Sequence, residues 1–521
     1  MATIDAMPSS VGEKTQAIID VFDRYVVPNY RRFPVCLTRG QGSRVWDAEG
    51  AEYLDLFPGW GCNLLGHCPE PVVQAVREQV AKLIHVPNTW YIEPQGAWAK
   101  LLAERSFGGQ AFFCNSGTEA NEAAIKLVRL RSEGKRYKII TFTGGFHGRT
   151  MGSVSATAQP KYHEGLGPMV AGFQYAPHGD LDAVERLIDE HTGGIMVEPI
   201  LGEGGVVPAP EGFLQGLRRI ADAHDLLLVF DEVQCGCGRT GKWFGYQHFG
   251  VTPDVMTLAK SLCAGVAGGA MLTTVDLAKH LRPGMHAATF GGNPLAAAAG
   301  IAAIEMIERD GLLAHVDTVA EIFRERLTAL KERCDVVTDV RVLGMMIGVE
   351  LSIDGTAVVQ ACMDRKLLVN CTQGRVIRLL PAMTITPDEV RDGRGHDEHF
   401  QRSHAAAADA CAQGLAHDAA QAFRQRRSNL RLLICGELID DAIDGAHRSR
   451  RVQCAEHQVP GLCGLQRERD GLEIPHLSDE HDVRVLAQRR AQRPRKTRRV
   501  RADLSLIDER KTACMHELDW I

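Results

Sequence analysis

Two charged residues lie at the ends of short apolar segments, where buried strands are predicted to stop. Lys260 follows segment 255–259, and Asp231 follows segment 226–230. A lysine beside a buried strand end loses solvent, which favours a neutral, nucleophilic amine that can form a Schiff base. An acidic residue at the carboxyl end of a strand lies where open α/β sheets bind ligands. Taken singly, each residue has an ordinary alternative, an exposed lysine or an acidic turn residue.

A phosphate could bind at the start of a predicted helix. Ser116 is followed three residues later by Glu119, a capping-box pattern that predicts a helix from Glu119 to Arg131. Gly117 and Thr118 lie at its N-terminus, where free backbone N–H groups and the helix dipole favour an anion. The alternative at this position is an ordinary helix cap without a ligand.

A glycine-rich segment, 144–149, combines an aromatic ring with a guanidinium group. Phe146 provides a flat ring, and Arg149 could hold a carboxylate through two parallel hydrogen bonds. His147 lies between them, and we expect it to be a packed or solvated histidine rather than a base.

Alternating strands and helices must position these residues. From about residue 38 to residue 383, short apolar segments alternate with amphipathic ones, which favours a mostly parallel sheet flanked by helices. Segment 213–225 has helical spacing, and segment 226–230 is predicted to be a fully buried strand. Helical periodicity returns from about 294 to 330. A smaller α/β segment follows at about 336 to 387.

Composition narrows the class of protein. The chain has 521 residues, is 45% hydrophobic and carries a formal net charge of −6, as ordinary soluble globular proteins do. Mild acidity gives no reason to expect a nucleic-acid partner. The sequence contains neither a signal-peptide core nor an apolar segment of the ~20 residues that span a bilayer, so we predict a cytoplasmic location without a membrane partner. Its 15 cysteines lack zinc-site spacing, and no metal site is predicted.

Together, the segments resemble those of the class III (subgroup II) pyridoxal 5'-phosphate-dependent aminotransferases. The matching stretches are Asn115–Ala123, Phe146–Thr150, Asp231–Gln234 and Ala259–Ser261, and the resemblance runs from about Arg32 to Pro387. It implies the α/β fold type I of pyridoxal-phosphate-dependent transferases. In that fold, a large domain with a mostly parallel central sheet is joined to a smaller α/β domain built from both chain ends.

The resemblance also implies a division of the chain into domains. Residues 1–65 and 291–390 are predicted to form the two parts of the small domain, and residues 66–290 the large domain that binds pyridoxal phosphate. Residues 391–521 would not belong to either domain.

By this resemblance, several residues would contact the cofactor. Lys260 would hold pyridoxal phosphate through a Schiff base and move the proton during catalysis, while Asp231 would pair with the pyridinium nitrogen and keep it protonated. Gln234 would contact the ring hydroxyl, and Phe146 would stack on the ring. The phosphate would be bound by Gly117, by Thr118 and, from the neighbouring subunit, by Thr289. The last contact implies a homodimer with shared active sites.

The substrate pocket is also implied by the resemblance. Arg149 matches a residue that binds the substrate carboxylate, and Arg378 matches one that binds the α-carboxylate of a 2-oxo acid. Glu203 resembles the glutamate that masks that arginine in the first half-reaction. Ala288 departs from the family, which usually has a small hydroxyl residue or glycine at this substrate-contacting position. The lost hydrogen bond would weaken activity rather than abolish it, since it contributes about 0.5–1.5 kcal/mol.

Within the class, segments 63–67 and 369–374 resemble the acetylornithine aminotransferases of arginine biosynthesis. The implied reaction transfers the δ-amino group of N2-acetylornithine, a small-molecule amino donor, to 2-oxoglutarate. The products would be N-acetylglutamate 5-semialdehyde and glutamate. Alternatives on the same residues are ornithine, succinylornithine, 4-aminobutyrate or a lysine derivative as donor, an aminomutase, and a cofactor-binding protein without turnover.

The chain changes character near Val390. After Arg391, lysine occurs only at Lys496 and Lys511, whereas arginine and histidine are frequent and apolar periodicity largely disappears. Such a composition is typical of a GC-rich gene read in a shifted frame, and also of a disordered or additional segment. The basic stretch 489–501 leaves a nucleic-acid module as a further alternative.

Overall fold

The computed structural model describes residues 11–392, so the predicted tail lies almost wholly outside the described residues. The helices are α1 (Glu13–Tyr25), α2 (Glu70–Lys82), α3 (Glu93–Arg105), α4 (Gly117–Leu130), α5 (Met151–Ala156), α6 (Leu181–Leu187), α7 (Phe213–Ala223), α8 (Val275–Ala278), α9 (Pro294–Arg309), α10 (Leu312–Arg333), α11 (Thr356–Asp364) and α12 (Pro387–Asp392).

The strands alternate with these helices along the described chain. They are β1 (Leu37–Gln41), β2 (Arg44–Asp47), β3 (Glu52–Asp55), β4 (Gln110–Cys114), β5 (Lys138–Phe142), β6 (Phe173–Ala176), β7 (Thr192–Val197), β8 (Ile200–Leu201), β9 (Val207–Pro208), β10 (Leu227–Asp231), β11 (Val255–Leu258), β12 (Gly269–Thr273), β13 (Val337–Leu343), β14 (Met346–Leu351), β15 (Leu367–Leu368), β16 (Asn370–Thr372) and β17 (Val376–Leu379).

The central sheet, within residues 11–392, has seven strands in the order β4–β12–β11–β10–β7–β5–β6. Strand β12 pairs antiparallel with both β11 and β4, and the other neighbours pair in parallel. The predicted α/β fold with a mostly parallel central sheet is therefore confirmed. Every residue of β7, β10 and β11 is buried, as expected for parallel strands covered on both faces.

This topology fixes where ligands can bind. The carboxyl ends of β5, β7, β10 and β11 meet at one edge because these strands run in parallel. Strand β4 ends at the same edge, since it and β11 both run opposite to β12. The loops that leave this edge contain most of the candidate site residues.

Two smaller sheets come from the chain ends. Strands β1, β2, β3 and β15 form one sheet in that order, in which β15 pairs in parallel with β3 and places Leu368 opposite Asp55. The second sheet, called here the C-terminal sheet, has the order β13–β14–β17–β16 and contains Arg378 in β17. Joining the two chain ends in one sheet agrees with a small domain built from both. The domain limits at residues 65, 290 and 390 remain predictions.

Two predicted elements end differently in the structure. Helix α7 stops at Ala223 rather than near Asp225, because Asp225 adopts a left-handed backbone with φ of +52°. The long helical stretch after Pro294 is divided into α9 and α10 at Gly311, whose φ is +61°. Left-handed conformations cannot continue a right-handed helix. None of the described helices is long and apolar enough to cross a membrane.

Helices α3 and α9 pack through a single glycine, which makes their contact testable. A Cβ atom on Gly300 would lie 2.4 Å from Cε2 of Trp98, an indole that is fully buried and stacked on Phe113. We expect Gly300→Ala to lower the free energy of unfolding by about 1–3 kcal/mol, the usual cost of over-packing a core. Urea denaturation measures the change.

Gly96 provides the matched control, because it lies in α3 and a methyl group added there would have no neighbouring atom within 4 Å. The same substitution, Gly96→Ala, should raise the free energy of unfolding by about 0.5–1 kcal/mol through reduced backbone entropy. Equal effects of the two substitutions would contradict the proposed close packing at Gly300.

Candidate active site

A cavity of about 400 Å³ opens at the carboxyl edge of the central sheet. The loops after β4, β5, β7, β10 and β11 all contribute side chains to it. The lining residues are Cys62, Asn115, Ser116, Gly117, Thr118, Asn121, Phe146, His147, Gly148, Arg149, Glu198, Glu203, Asp231, Val233, Gln234, Ala259, Lys260, Gly265, Val266, Ala267 and Gly268.

Lys260 begins a short 3-10 turn directly after β11. Its φ of +41° lies in the left-handed region, which costs a non-glycine residue on the order of 1–3 kcal/mol. Ser261 stabilises the turn by donating a hydrogen bond to the Gly61 carbonyl at 3.0 Å. Among the described residues, the Lys260 amine has no hydrogen-bond partner, so it is free to react inside the cavity.

Asp231 is buried at the end of β10 and accepts hydrogen bonds on both carboxylate oxygens. Its Oδ2 accepts from Nδ1 of His147 and from Nδ2 of Asn121, each at 2.8 Å, and its Oδ1 accepts from the Val233 backbone N–H at 3.1 Å. The hydroxyl of Thr257 in turn donates to Oδ1 of Asn121 at 2.7 Å. These bonds fix the direction in which Asp231 faces the cavity.

His147 is predicted to be packed or solvated, and the structure buries it against Asp231. Burial by itself lowers the pKa of His147, but the hydrogen bond to Asp231 and the negative charge of that carboxylate outweigh it. The pKa of His147 is therefore raised above its ordinary value of 6.5. His147 is thus a buried hydrogen-bond partner of Asp231, and this pairing favours the protonated form of the imidazole.

The start of α4 presents backbone N–H groups to the cavity. Ser116 is its N-cap and accepts from the Glu119 backbone N–H at 3.4 Å. A capping box predicts that the Glu119 carboxylate accepts from the backbone N–H of Ser116. It accepts instead from the backbone N–H of the preceding residue, Asn115, at 2.9 Å. A Cβ atom at Gly117 would lie 2.7 Å from Val233, so only glycine lets the helix start so close to β10.

Glu198 joins two loops of the cavity wall. Its carboxylate accepts from the backbone N–H of Phe146 at 2.8 Å and from that of Gly202 at 3.0 Å. Burial, followed by the charge of Asp231, raises the pKa of Glu198 to about 7. Phe146 itself packs edge-on against Tyr162, with 5.4 Å between ring centroids.

Arg149 and Arg378 lie in different surroundings. Arg149 is exposed at the cavity wall, with its guanidinium 4.1 Å from the ring centroid of Tyr162. Arg378 is fully buried and forms an ion pair of 2.8 Å with Glu203. Burial acts to raise the pKa of Glu203, but the positive charges of Arg378 and Lys260 and the hydrogen bond from Arg378 together outweigh it, so that the pKa lies below the ordinary value.

Further polar contacts complete the surroundings of Arg378. Gln234 accepts from Arg378 Nη1 at 3.1 Å, and Asn370 accepts from Nη2 at 2.9 Å. The ring of Phe57 lies 4.9 Å below the guanidinium. A ligand carboxylate can therefore reach Arg378 only by displacing Glu203.

Most of the predicted site residues thus come together in one cavity, but three do not line it. Arg378 lies behind Glu203 and Gln234. Ala288 and Thr289 lie away from the cavity of their own chain, and Thr289 is exposed. In the part of the chain that the structure describes, no cluster of metal-ligating side chains is found.

The class III aminotransferase family model (Aminotransferase class-III) matches residues 25–396, well over half of the chain. The chain belongs to the class III aminotransferases. It is 46% identical over 372 residues to an acetylornithine aminotransferase of Caldanaerobacter subterraneus subsp. tengcongensis, a match that covers 70% of this chain and 94% of that protein.

Solved structures of class III aminotransferases are similar as well. The ornithine aminotransferase of Toxoplasma gondii ME49 superposes with a TM-score of 0.72 at 29% identity, covering 78% of this chain and 96% of that one. An acetylornithine aminotransferase from Elizabethkingia anophelis gives 0.66 at 28% identity, covering 77% and 98%. The predicted fold type I, transaminase class and pyridoxal-phosphate cofactor are thereby confirmed.

The cavity of this class III aminotransferase has groups suited to each part of pyridoxal phosphate. The Lys260 amine can bind an aldehyde, and the buried Asp231 carboxylate can pair with a ring nitrogen. The start of α4 lies at the cavity and provides backbone donors for a phosphate.

Three residues help to form the site although the sequence pattern does not predict a role for them. Asn121 bonds to His147 and Asp231, which lie 26 and 110 residues away along the chain. Glu198 bridges two loops, and Val233 packs on Gly117. Asn121 lies within a recognised motif and Glu198 lies five residues before Glu203, yet their residue types do not reveal partners so distant in sequence.

The pairing of His147 with Asp231 predicts a pH-dependent contribution to stability. Because the folded-state pKa of His147 is raised, the contribution is fully present below the unfolded pKa of about 6.5 and is lost as the pH rises through the folded value. His147→Gln should therefore destabilise the cofactor-free protein most at about pH 5.5 and least at about pH 9. Urea denaturation across this range measures the difference.

His178 serves as a control with the opposite sign. Burial lowers the pKa of His178 to about 4, so the folded protein excludes a proton that the unfolded chain binds. His178→Gln should gain stability relative to the parent as the pH falls below about 6.5. A pH-independent effect of His147→Gln would show that its charge does not act on Asp231.

Proposed function

We propose that this aminotransferase transfers the δ-amino group of N2-acetylornithine to 2-oxoglutarate, yielding N-acetylglutamate 5-semialdehyde and glutamate in arginine biosynthesis. Support comes from the named relatives, whose identity extends over nearly their whole length. The observation that carries the proposal is the buried ion pair of Glu203 with Arg378 beside the reactive Lys260. When this pair opens, the Arg378 guanidinium can bind 2-oxoglutarate; when it is closed, Glu203 masks that charge from N2-acetylornithine.

We assign the proton transfer to Lys260. Its amine lies in the cavity without a hydrogen-bond partner among the described residues, so it can accept and return a proton at the substrate carbon. Bound pyridoxal phosphate supplies an electron sink for the negative charge that develops there. Asp231, which His147 and Asn121 hold in place, keeps the ring nitrogen protonated in this proposal.

The cofactor would be held at three further points. Gly117 and Thr118 at the start of α4 would bind the phosphate, Phe146 would stack on the ring, and Gln234 would contact the ring hydroxyl. Gln234 also accepts from Arg378, so it lies between the cofactor and substrate regions.

Substrate carboxylates would bind at the two arginines. Arg149 is exposed at the cavity wall and would hold the α-carboxylate of N2-acetylornithine, while Glu203 keeps Arg378 masked. When 2-oxoglutarate enters, Glu203 would swing away and Arg378 would bind the α-carboxylate through two parallel hydrogen bonds. Ala288 offers no hydroxyl to the substrate.

An ornithine donor is the second candidate, since solved structures similar to this chain include ornithine aminotransferases. Ornithine carries a free α-amino group where N2-acetylornithine carries a neutral acetamide. Direct competition between the two donors separates these candidates. A cofactor-binding protein without turnover would respond to neither.

The first test is the visible absorbance of the purified holoenzyme. Adding N2-acetylornithine alone should abolish the band of the lysine-bound cofactor, and 2-oxoglutarate should restore it, because the two half-reactions are separate. Lys260→Ala should show no such cycle. A band that responds to ornithine or 4-aminobutyrate but not to N2-acetylornithine would refute the proposed donor.

We further propose that the enzyme is a homodimer with shared active sites and that it is cytoplasmic. Segments 83–91 and 285–290 expose large apolar side chains and contact each other, with 4.9 Å between the rings of His85 and Phe290. Trp90 is 69% exposed and Phe290 is 58% exposed. Contiguous apolar surface of this kind marks an interface, and a second copy of the chain would bring Thr289 to the phosphate.

Analytical ultracentrifugation tests the dimer. We expect a mass of twice the 57.1 kDa chain, and we expect Phe290→Glu to shift the protein toward the monomer by placing a charge in an apolar interface. The monomer should also bind pyridoxal phosphate less tightly, since it would lack the partner's threonine. A monomeric parent protein with full cofactor affinity would contradict this assignment.

A further inference from the structure

The loop that carries Glu203 is attached to the C-terminal sheet through its own backbone. Residues 202–206 connect β8 to β9, and the carbonyl of Glu203 accepts two hydrogen bonds. The Thr372 hydroxyl donates at 2.7 Å and the Gln373 side-chain amide donates at 2.6 Å. Both donors lie at the end of β16, one strand away from Arg378.

The other end of the loop is attached to the same sheet. Arg341 of β13 donates to the carbonyl of Gly205 at 2.9 Å and to that of Val206 at 3.1 Å. Three carbonyls of the loop, those of Glu203, Gly205 and Val206, thus accept hydrogen bonds from side chains in or next to the sheet that also holds Arg378. The position of Glu203 relative to Arg378 is consequently set within one structural unit.

Backbone strain accompanies these contacts. Val206 has a φ of +55° and Gln373 a φ of +52°, values in the left-handed region that non-glycine residues rarely adopt. Such strain persists only where the surroundings over-determine the conformation. At Gln373, the left-handed backbone directs the side-chain amide to the Glu203 carbonyl.

We propose that Thr372 and Gln373 are positioning residues that set how strongly Glu203 masks Arg378, and thereby how the enzyme discriminates between its two carboxylate substrates. This inference rests on the function proposed above. An anchored backbone loses little conformational entropy when the Glu203 carboxylate pairs with Arg378. Without the anchors, the pair is weaker, and a ligand carboxylate displaces it more easily.

The fraction of molecules in which Arg378 is unmasked affects how tightly each ligand binds. A dicarboxylate binds only the fraction of molecules in which Arg378 is unmasked, so its apparent dissociation constant falls when that fraction rises. The amino donor responds in the opposite way, because an unmasked Arg378 offers its carboxylate a second, unproductive position. Loosening the loop should therefore help one half-reaction and hinder the other.

Thr372→Val tests the inference, because it keeps the shape of the side chain and removes the donor. Calorimetry with glutarate and the holoenzyme should give a dissociation constant roughly three- to tenfold lower than in the parent, the range that one net hydrogen bond supports. Gln373→Leu should act in the same direction. Glu203→Gln, which removes the masking charge, should lower the constant further.

Thr338→Val is the matched control. Thr338 lies on β13 of the same sheet and donates its hydroxyl to the Glu350 carbonyl at 3.2 Å, away from the Glu203 loop. It should leave glutarate affinity unchanged. An unchanged or weaker affinity for glutarate in Thr372→Val would overturn the inference.

Kinetics of the separate half-reactions distinguish positioning from a general structural role. Thr372→Val should lower KM for 2-oxoglutarate and raise KM for N2-acetylornithine, whereas a damaged fold would impair both. Equal impairment of the two would also overturn the inference. The glutarate measurement needs no turnover, so it remains decisive if N2-acetylornithine is not the donor.

Discussion

The structure depends on a carboxylate that is buried at the carboxyl edge of the central sheet. Removing Asp231 from water costs several kcal/mol unless charged and polar partners compensate. Its partners come from three elements: His147 from the loop after β5, Asn121 from α4, and the Val233 backbone from its own loop. Satisfying this one group therefore holds α4 and two strand ends together at the edge where the cavity opens.

Two acidic side chains near Asp231 are also buried, but their hydrogen-bond partners differ from those of Asp231. Burial raises the pKa values of Glu198 and Glu232 to about 7, and both accept hydrogen bonds from backbone N–H groups. Asp231 has instead the imidazole of His147 as a direct partner. A histidine whose protonated form is favoured by the carboxylate, and favours it in turn, distinguishes Asp231 from the two buried glutamates.

Arg378 is a buried charge of the opposite sign, and it too needs partners that compensate for its removal from water. It is fully buried, and Glu203, Gln234 and Asn370 together compensate its desolvation. Because a buried guanidinium cannot be left unpaired, a ligand carboxylate must replace Glu203 rather than simply add to the site. In the proposed function, the masked and unmasked forms of Arg378 would be two ways of meeting this one electrostatic constraint.

The sequence by itself determined which residue types end the buried strands, since apolar runs terminated by Asp231 and Lys260 can be recognised locally. Their convergence follows from the parallel order of β10 and β11. Only the tertiary structure decided that Asn121 joins His147 to Asp231 and that Thr372 donates a hydrogen bond to the Glu203 carbonyl. The physical reason is that local spacing specifies a strand or a cap, whereas contacts between residues far apart in the chain depend on how the elements pack.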